Sequence, residues 1–314
     1  MIFFYIYLIL SILLTCLIAT NTHKFAIKIK LIDDPKNSTI KIHKKTTPKI
    51  GGVIILILSL NYFFYNLGFE EIHKPSASIF LFFFYFFIIG LLDDYLNVSP
   101  LIRIILYALG IYVISKINQD LLIFNFYLET LNVKVIFNEL SLIFSIFCIL
   151  TLLNSLNMFD GLNGSLIIYS ICVLLILFLI SFNIFILIIL AALFICLYLN
   201  LKNKTFLGNS GSSIISSIIA YLIIDASKNF ETYLSAEHII IIFFIPGIDL
   251  VRLFVERIFN KKSPFYGDLN HFHHIVMKKN KDIVWISCLV IFIFLSYGIS
   301  IYIEPIIVLV FSTI

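Results

Sequence analysis

The chain has 314 residues, of which 61% are hydrophobic and only 13% are charged, and its mean hydropathy is +1.07. A water-soluble domain is about 45–50% apolar and about 25% charged, so a soluble fold is excluded and the bilayer is the solvent. The net charge of +4 is too small to point to nucleic acid as a partner.

Each membrane-spanning helix needs about 20 mostly apolar residues, which leaves room for about ten spans. The first 20 residues are apolar and the first lysine is Lys24. They lack the basic start and small-residue cleavage site of a secretory signal, so they predict a retained first helix. Further apolar runs predict helices over 50–67, 76–92, 101–116, 139–153, 165–181, 183–199, 211–225, 237–255 and 283–302. The segment 118–138 alternates, with Leu122, Phe124, Phe126 and Leu128 on one parity, and predicts a small hairpin outside the membrane. Residues 305–314 are short for a span and read as an eleventh helix or an interfacial tail. The expected fold is an all-α polytopic membrane protein, with residues 1–314 forming one integral-membrane domain.

Lys and Arg concentrate in the loops near 21–49, 200–210 and 252–282. Lys74, Lys116, Lys134 and Lys228 fall on the opposite side of the predicted spans. The bias places the first set in the cytoplasm and the N-terminus outside. The polar motifs fall on that same cytoplasmic side, although Asp, Asn, Gly and His dominate them and took no part in the count. Cys16, Cys148, Cys172, Cys196 and Cys288 lie far apart inside apolar runs, with neither metal-type nor disulfide-framework spacing.

Asp93 and Asp94 end an apolar helix, where carboxylates oppose the macrodipole. They read either as a solvated helix end or as a metal or proton-transfer site, because paired carboxylates at a membrane edge are costly without a cation. In the stretch 154–164, Asn154, Asn157 and Asp160 recur every third residue, followed by Gly161, Asn163 and Gly164. That spacing puts the amides and the carboxylate near one face of a helix end, and the glycines permit close backbone approach to a ligand. Residues 206–213 supply a Gly/Ser-rich helix start containing Phe206, Gly208 and Asn209. Such a start can offer backbone N–H groups to a phosphate, although Ser and Asn are also ordinary caps. His271, His273 and His274 follow Asp268 and hold three of the seven histidines. Histidines can grip a diphosphate, and the oxygen-rich surroundings suit a hard cation better than a soft one.

These motifs, from about residue 30 to 280, resemble those of the polyprenyl-phosphate N-acetylhexosamine-1-phosphate transferase family, which also includes the phospho-MurNAc-pentapeptide transferases. His43 through Gly52, with Lys45, resembles the family's first cytoplasmic motif. Asp93-Asp94 resembles its paired aspartates, 154–164 its Asn-rich motif, and Asn200 with 206–212 its nucleotide-binding region. Pro246, Asp249 and 263–274 resemble its last large loop, in the His-Phe-His-His form of the N-acetylglucosamine enzymes.

The resemblance implies transfer of a HexNAc-1-phosphate, chiefly GlcNAc-1-phosphate, from a UDP-sugar to undecaprenyl phosphate. UMP is released, and the lipid product initiates a surface glycan such as O-antigen or teichoic acid. It implies Mg²⁺, with Mn²⁺ as an alternative, held by Asp93, Asp94, Asp160 and Asn209. It implies catalytic roles for the three aspartates. Substrate binding falls to His43, Lys45, Asn154, Asn157, Asn163, Asn200, Phe206, Gly208, His271, His273 and His274. Asn163 and Asn209 stand where many members carry Asp, and Leu269 where many carry Arg. The resemblance also implies the bacterial inner membrane as the location and leaves a homodimer open. The competing readings are transfer of phospho-MurNAc-pentapeptide and a polytopic transporter. The His-Phe-His-His form argues against the first. Against the second, the carboxylates sit at loop edges, whereas transporters place ionisable groups near the bilayer midplane.

Overall fold

The computed structural model describes residues 2–33, 46–67, 77–160, 164–261, 263 and 282–312. The chain folds almost entirely as helices. They are α1 (Ile2–Thr20), α2 (Thr22–Lys28), α3 (Gly51–Leu67), α4 (Ala77–Leu96), α5 (Pro100–Ile117) and α6 (Ser141–Phe159). They continue as α7 (Ser165–Ser181), α8 (Ile184–Leu201), α9 (Gly208–Asn229), α10 (Ala236–Ile242), α11 (Phe244–Phe259), α12 (Asp282–Ser300) and α13 (Pro305–Ser312). Two short antiparallel pairs interrupt them, β1 (Ile32–Asp33) with β2 (Thr47–Pro48), and β3 (Asn125–Leu128) with β4 (Val133–Ile136).

Among the described residues, five helices are long and apolar enough to cross a bilayer, and seven if two bent pairs each count as one span. The apolar runs therefore mark a membrane-embedded protein. α3, α7 and α12 contribute shorter apolar helices. The segment after Glu304 forms only the eight-residue α13, too short for a span.

Two helix pairs are sharply bent, and the second lies within a single predicted span. The first breaks at Asn21, where α1 and α2 meet at 89°. The run predicted as one helix over 237–255 is α10 and α11, inclined at 76°. Pro246 accounts for this second break. It has no N–H to give to the carbonyl four residues earlier, Ile242. The Tyr169 hydroxyl donates to that carbonyl instead, at 2.9 Å.

The helices gather into two compact units, one of residues 1–110 and 184–217, the other of 111–183 and 218–314. In the first, α3 packs against α1, α8 and α4. Ile50, Ile54, Ile55, Phe82, Phe86 and Tyr107 are at most 1% exposed there. Glycines bring backbones together in this unit. A Cβ on Gly52 would lie 2.5 Å from the Gly211 nitrogen, and one on Gly90 would lie 2.3 Å from the Asn209 carbonyl oxygen. Without a hydrophobic force between helices in lipid, such close small-residue contacts hold them together.

In the second unit, α6 packs on α11, α7 on α12, and α10 on α12 and α13. The hairpin expected over 118–138 forms here, between one-turn 3₁₀ segments at Gln119–Leu121 and Asn138–Leu140. The buried Glu237 carboxylate accepts from the Glu129 and Thr130 amides at 3.2 and 3.3 Å, which pins the hairpin turn to α10.

Candidate active site

In the first unit, the base of the first polar loop is closed by the two-residue ladder Ile32–Pro48 and Asp33–Thr47. Just beyond it the chain turns into α3. The first N–H groups of a helix have no intrahelical acceptor. Here the Gly51 and Gly52 amides donate to the Phe206 and Leu207 carbonyls, both at 3.2 Å. Phe206 N–H returns a bond to the Pro48 carbonyl at 2.7 Å. The Thr205 hydroxyl donates to the same carbonyl at 3.0 Å and accepts from Ile50 N–H at 3.2 Å. The starts of α3 and α9 are thus stitched side by side.

The start of α9 is satisfied differently. Gly208 holds φ at +75°, which only a residue without a Cβ adopts without strain. The next two amides, Asn209 and Ser210, donate to the two carboxylate oxygens of Asp94 at 3.0 and 2.9 Å. Asp94 lies in the last turn of α4, and its side chain is fully buried. Lys49 Nζ stands 3.6 Å from Asp94 Oδ1 and 3.5 Å from Asp33 Oδ1. Asp93, one position earlier and about 100° around the helix, turns instead to Arg103 of α5, at 2.6 Å. Ser99 accepts from Ile102 N–H at 3.4 Å to cap α5, and Pro100 occupies its first position, where no amide donor is missed.

Of the two readings of the α9 start, a phosphate cradle and a capped helix, the geometry fits the second, because Asn209 and Ser210 give their N–H groups to Asp94. Of the two readings of Asp93 and Asp94, neither a solvated helix end nor a bare carboxylate pair describes them, because each has a cation of the protein beside it. Asn200, the predicted donor-binding residue, is buried and gives Nδ2 to the Thr205 carbonyl at 3.2 Å, leaving Oδ1 without a hydrogen bond. Phe206 is half-buried. Sequence reasoning missed Lys49, Asp33 and Arg103. Lys49 is hidden among the many lysines of its loop, and no local signal pairs it with a residue 45 positions on.

In the second unit, α6 runs to Phe159 and carries Asn154 and Asn157 on its last turns, with Asp160 as its C-cap. All three are half-buried, while Leu153, Ser155, Leu156 and Phe159 between them are buried. The period of three therefore marks the helix face left uncovered. Asn154 Nδ2 donates to the Leu150 carbonyl at 2.9 Å. Gly164 has φ +81° and the Ser165 hydroxyl donates to the Phe159 carbonyl at 2.9 Å, which ties the start of α7 to the end of α6. On α11 the buried Asp249 accepts from Arg252 at 2.7 Å, and Arg252 also reaches Glu256 at 3.2 Å. His43, Lys45, Asn163, His271, His273 and His274 lie outside the described residues, as do Gly161 and Leu269.

The described residues contain no group of three or more His, Cys, Asp or Glu side chains that could hold a metal. The fit of Asp94 to a metal is poor in particular, because its side chain is fully buried, each oxygen accepts an amide and the Lys49 ammonium stands 3.6 Å from Oδ1.

The fold and these clusters define a multi-helix membrane protein with carboxylates and amides collected at helix ends. Comparison with known proteins shows what the chain is similar to. The profile of glycosyl transferase family 4 matches residues 76–227, a span that includes Asp93, Asp94, Asn154 to Asp160 and the start of α9. The undecaprenyl-phosphate alpha-N-acetylglucosaminyl 1-phosphate transferase of Thermotoga maritima is 29% identical over 258 residues, covering 81% of this chain and 76% of its own. The enzyme of that name from Escherichia coli O157:H7 is 25% identical over 287 residues, covering 85% and 74%. The probable undecaprenyl-phosphate N-acetylglucosaminyl 1-phosphate transferase of Bacillus subtilis is 25% identical over 277 residues, covering 86% and 76%. Residues 76–227 are thus similar to glycosyl transferase family 4, and most of the chain is similar to transferases of this kind.

Proposed function

We propose that this protein transfers a HexNAc-1-phosphate, chiefly GlcNAc-1-phosphate, from a UDP-sugar to undecaprenyl phosphate. The observation that carries the reading is the likeness, over 81–86% of the chain, to transferases named for that acceptor and that sugar. In the reaction a phosphate oxygen of the lipid attacks the β-phosphorus of the donor. The bond from that phosphorus to the bridging oxygen breaks, and UMP leaves with the electron pair. The product is undecaprenyl-diphosphate-HexNAc, which would begin a surface glycan. The membrane is the bacterial inner membrane and the working face is cytoplasmic, in keeping with the basic loops on the side that carries the motifs.

The half-buried face of α6 suits the donor, with Asn154 and Asn157 as hydrogen-bonding amides and Asp160 as the charged group at the reacting centre. Asn200 is assigned to the uridine of the donor by its place in the motif alone. The histidines at 271, 273 and 274 are assigned to the diphosphate and sugar. Mg²⁺, or Mn²⁺ in its place, would supply charge to the diphosphate when bound.

The test is direct. Purified protein in detergent is given Mg²⁺, undecaprenyl phosphate and a panel of UDP-sugars, including UDP-MurNAc-pentapeptide. UMP release with UDP-GlcNAc, absent without the lipid, is the expected result. Release only with UDP-MurNAc-pentapeptide would move the protein to the neighbouring branch, and no release with any donor would sink the reading.

A further inference from the structure

We infer that Asp94 and Lys49 are positioning residues that lock the start of α9, and that Asp94 is not a metal ligand in this chain. The inference deepens the transferase reading and rests on it for the catalytic part of its test.

Four observations carry it. Each oxygen of Asp94 accepts a backbone amide of α9, at 3.0 and 2.9 Å. A carboxylate across the first amides of a helix is where the macrodipole and the orphan donors favour it most. Its side chain is fully buried, so water does not compete for those bonds. Its counter-charge is Lys49, itself steadied by Asp33 at 3.5 Å, so the protein supplies from its own chain the cation that a buried carboxylate needs. Finally, the cradle has no room for a larger residue at Gly208. A Cβ there would lie 2.9 Å from Asp94 Oδ2 and 3.2 Å from Lys49 Cβ.

The lock joins three segments distant in sequence. Asp33 and Lys49 close the base of the first loop, Asp94 ends α4, and Gly208 to Ser210 begin α9. It fixes the backbone that presents Asn209 and Phe206. A metal on Asp94 would have to share its oxygens with both amides and stand against the charge of Lys49, 3.6 Å from Oδ1. Asp94 and Lys49 therefore act on the reaction through the segment they hold.

The test uses the full chain in detergent with Asp94→Asn, Lys49→Met and Lys49→Arg. Three quantities are read: Mn²⁺ binding by electron paramagnetic resonance, amide exchange of the peptide over 205–215, and kcat with KM for UDP-GlcNAc. Asp94→Asn is expected to leave Mn²⁺ affinity within about twofold while exchange at Asn209 and Ser210 rises about tenfold, since a charge-assisted pair of bonds is weakened. Exchange over 165–181 stays at the wild-type rate, which separates a loosened α9 start from general unfolding. Lys49→Met moves exchange and kcat in the same direction, and Lys49→Arg restores both. Loss of Mn²⁺ binding by tenfold or more in Asp94→Asn, with exchange over 205–215 unchanged, would overturn the inference. A wild-type protein that binds no Mn²⁺ removes the ligand role at once, and exchange alone then decides the lock. A wild-type protein that releases no UMP defeats the transferase reading but leaves the exchange result standing.

Discussion

Replacing Arg103 by Met is expected to lower the stability of the folded protein by about 3–5 kcal/mol, because it strands a buried charge. The Asp93 carboxylate is only 6% exposed and meets the guanidinium at 2.6 Å. Arg103 is itself 14% exposed, so neither charge has water to fall back on. Removing one partner of such a pair costs more than the pair contributes, since the remaining charge keeps its full desolvation penalty. The double replacement Asp93→Asn with Arg103→Met removes both charges and is expected to recover most of the loss. The thermal unfolding midpoint in detergent measures both variants. A single variant as stable as the wild type would mean that the Asp93–Arg103 pair does not hold this helix end together.

Asp160→Asn is expected to lower kcat by about a hundredfold to ten-thousandfold, the range lost when a charged group at a reacting centre is neutralised. Asparagine has nearly the same shape, and the α6 cap bond from Asp160 N–H to the Asn157 carbonyl, at 3.4 Å, belongs to the backbone. Stability should therefore fall far less than activity, by no more than about 1 kcal/mol. Steady-state UMP release, read beside the unfolding midpoint, separates the two effects. A variant that retains the wild-type rate would remove Asp160 from the catalytic set.

The order of the helices was legible because the bilayer demands long apolar runs, and those runs are unmistakable at this composition. The hairpin over 118–138 was legible from its alternation. The break between α10 and α11 had a local signal in Pro246, yet the apolar run around it reads as one helix. What makes the break tolerable is Tyr169 reaching the Ile242 carbonyl, a contact between residues 73 apart. The site shows the same division. The period of Asn154, Asn157 and Asp160 foretold one helix face, and the structure leaves that face half-buried. The positions of Asp93 and Asp94 were equally plain, but their partners were not. Arg103 belongs to the next helix, Lys49 precedes Asp94 by 45 residues and the donating amides follow it by more than a hundred. Sequence pattern reports residue type and periodicity, whereas an ion pair between helices depends on which helix ends meet.

The most direct measurement follows the fate of the β-phosphorus. UDP-GlcNAc labelled at that atom is incubated with the purified protein, Mg²⁺ and undecaprenyl phosphate, and the lipid and nucleotide fractions are separated. Transfer of the sugar-1-phosphate predicts label in the lipid and unlabelled UMP in the aqueous phase. Label found in released UDP, with sugar alone on the lipid, would contradict the proposed chemistry.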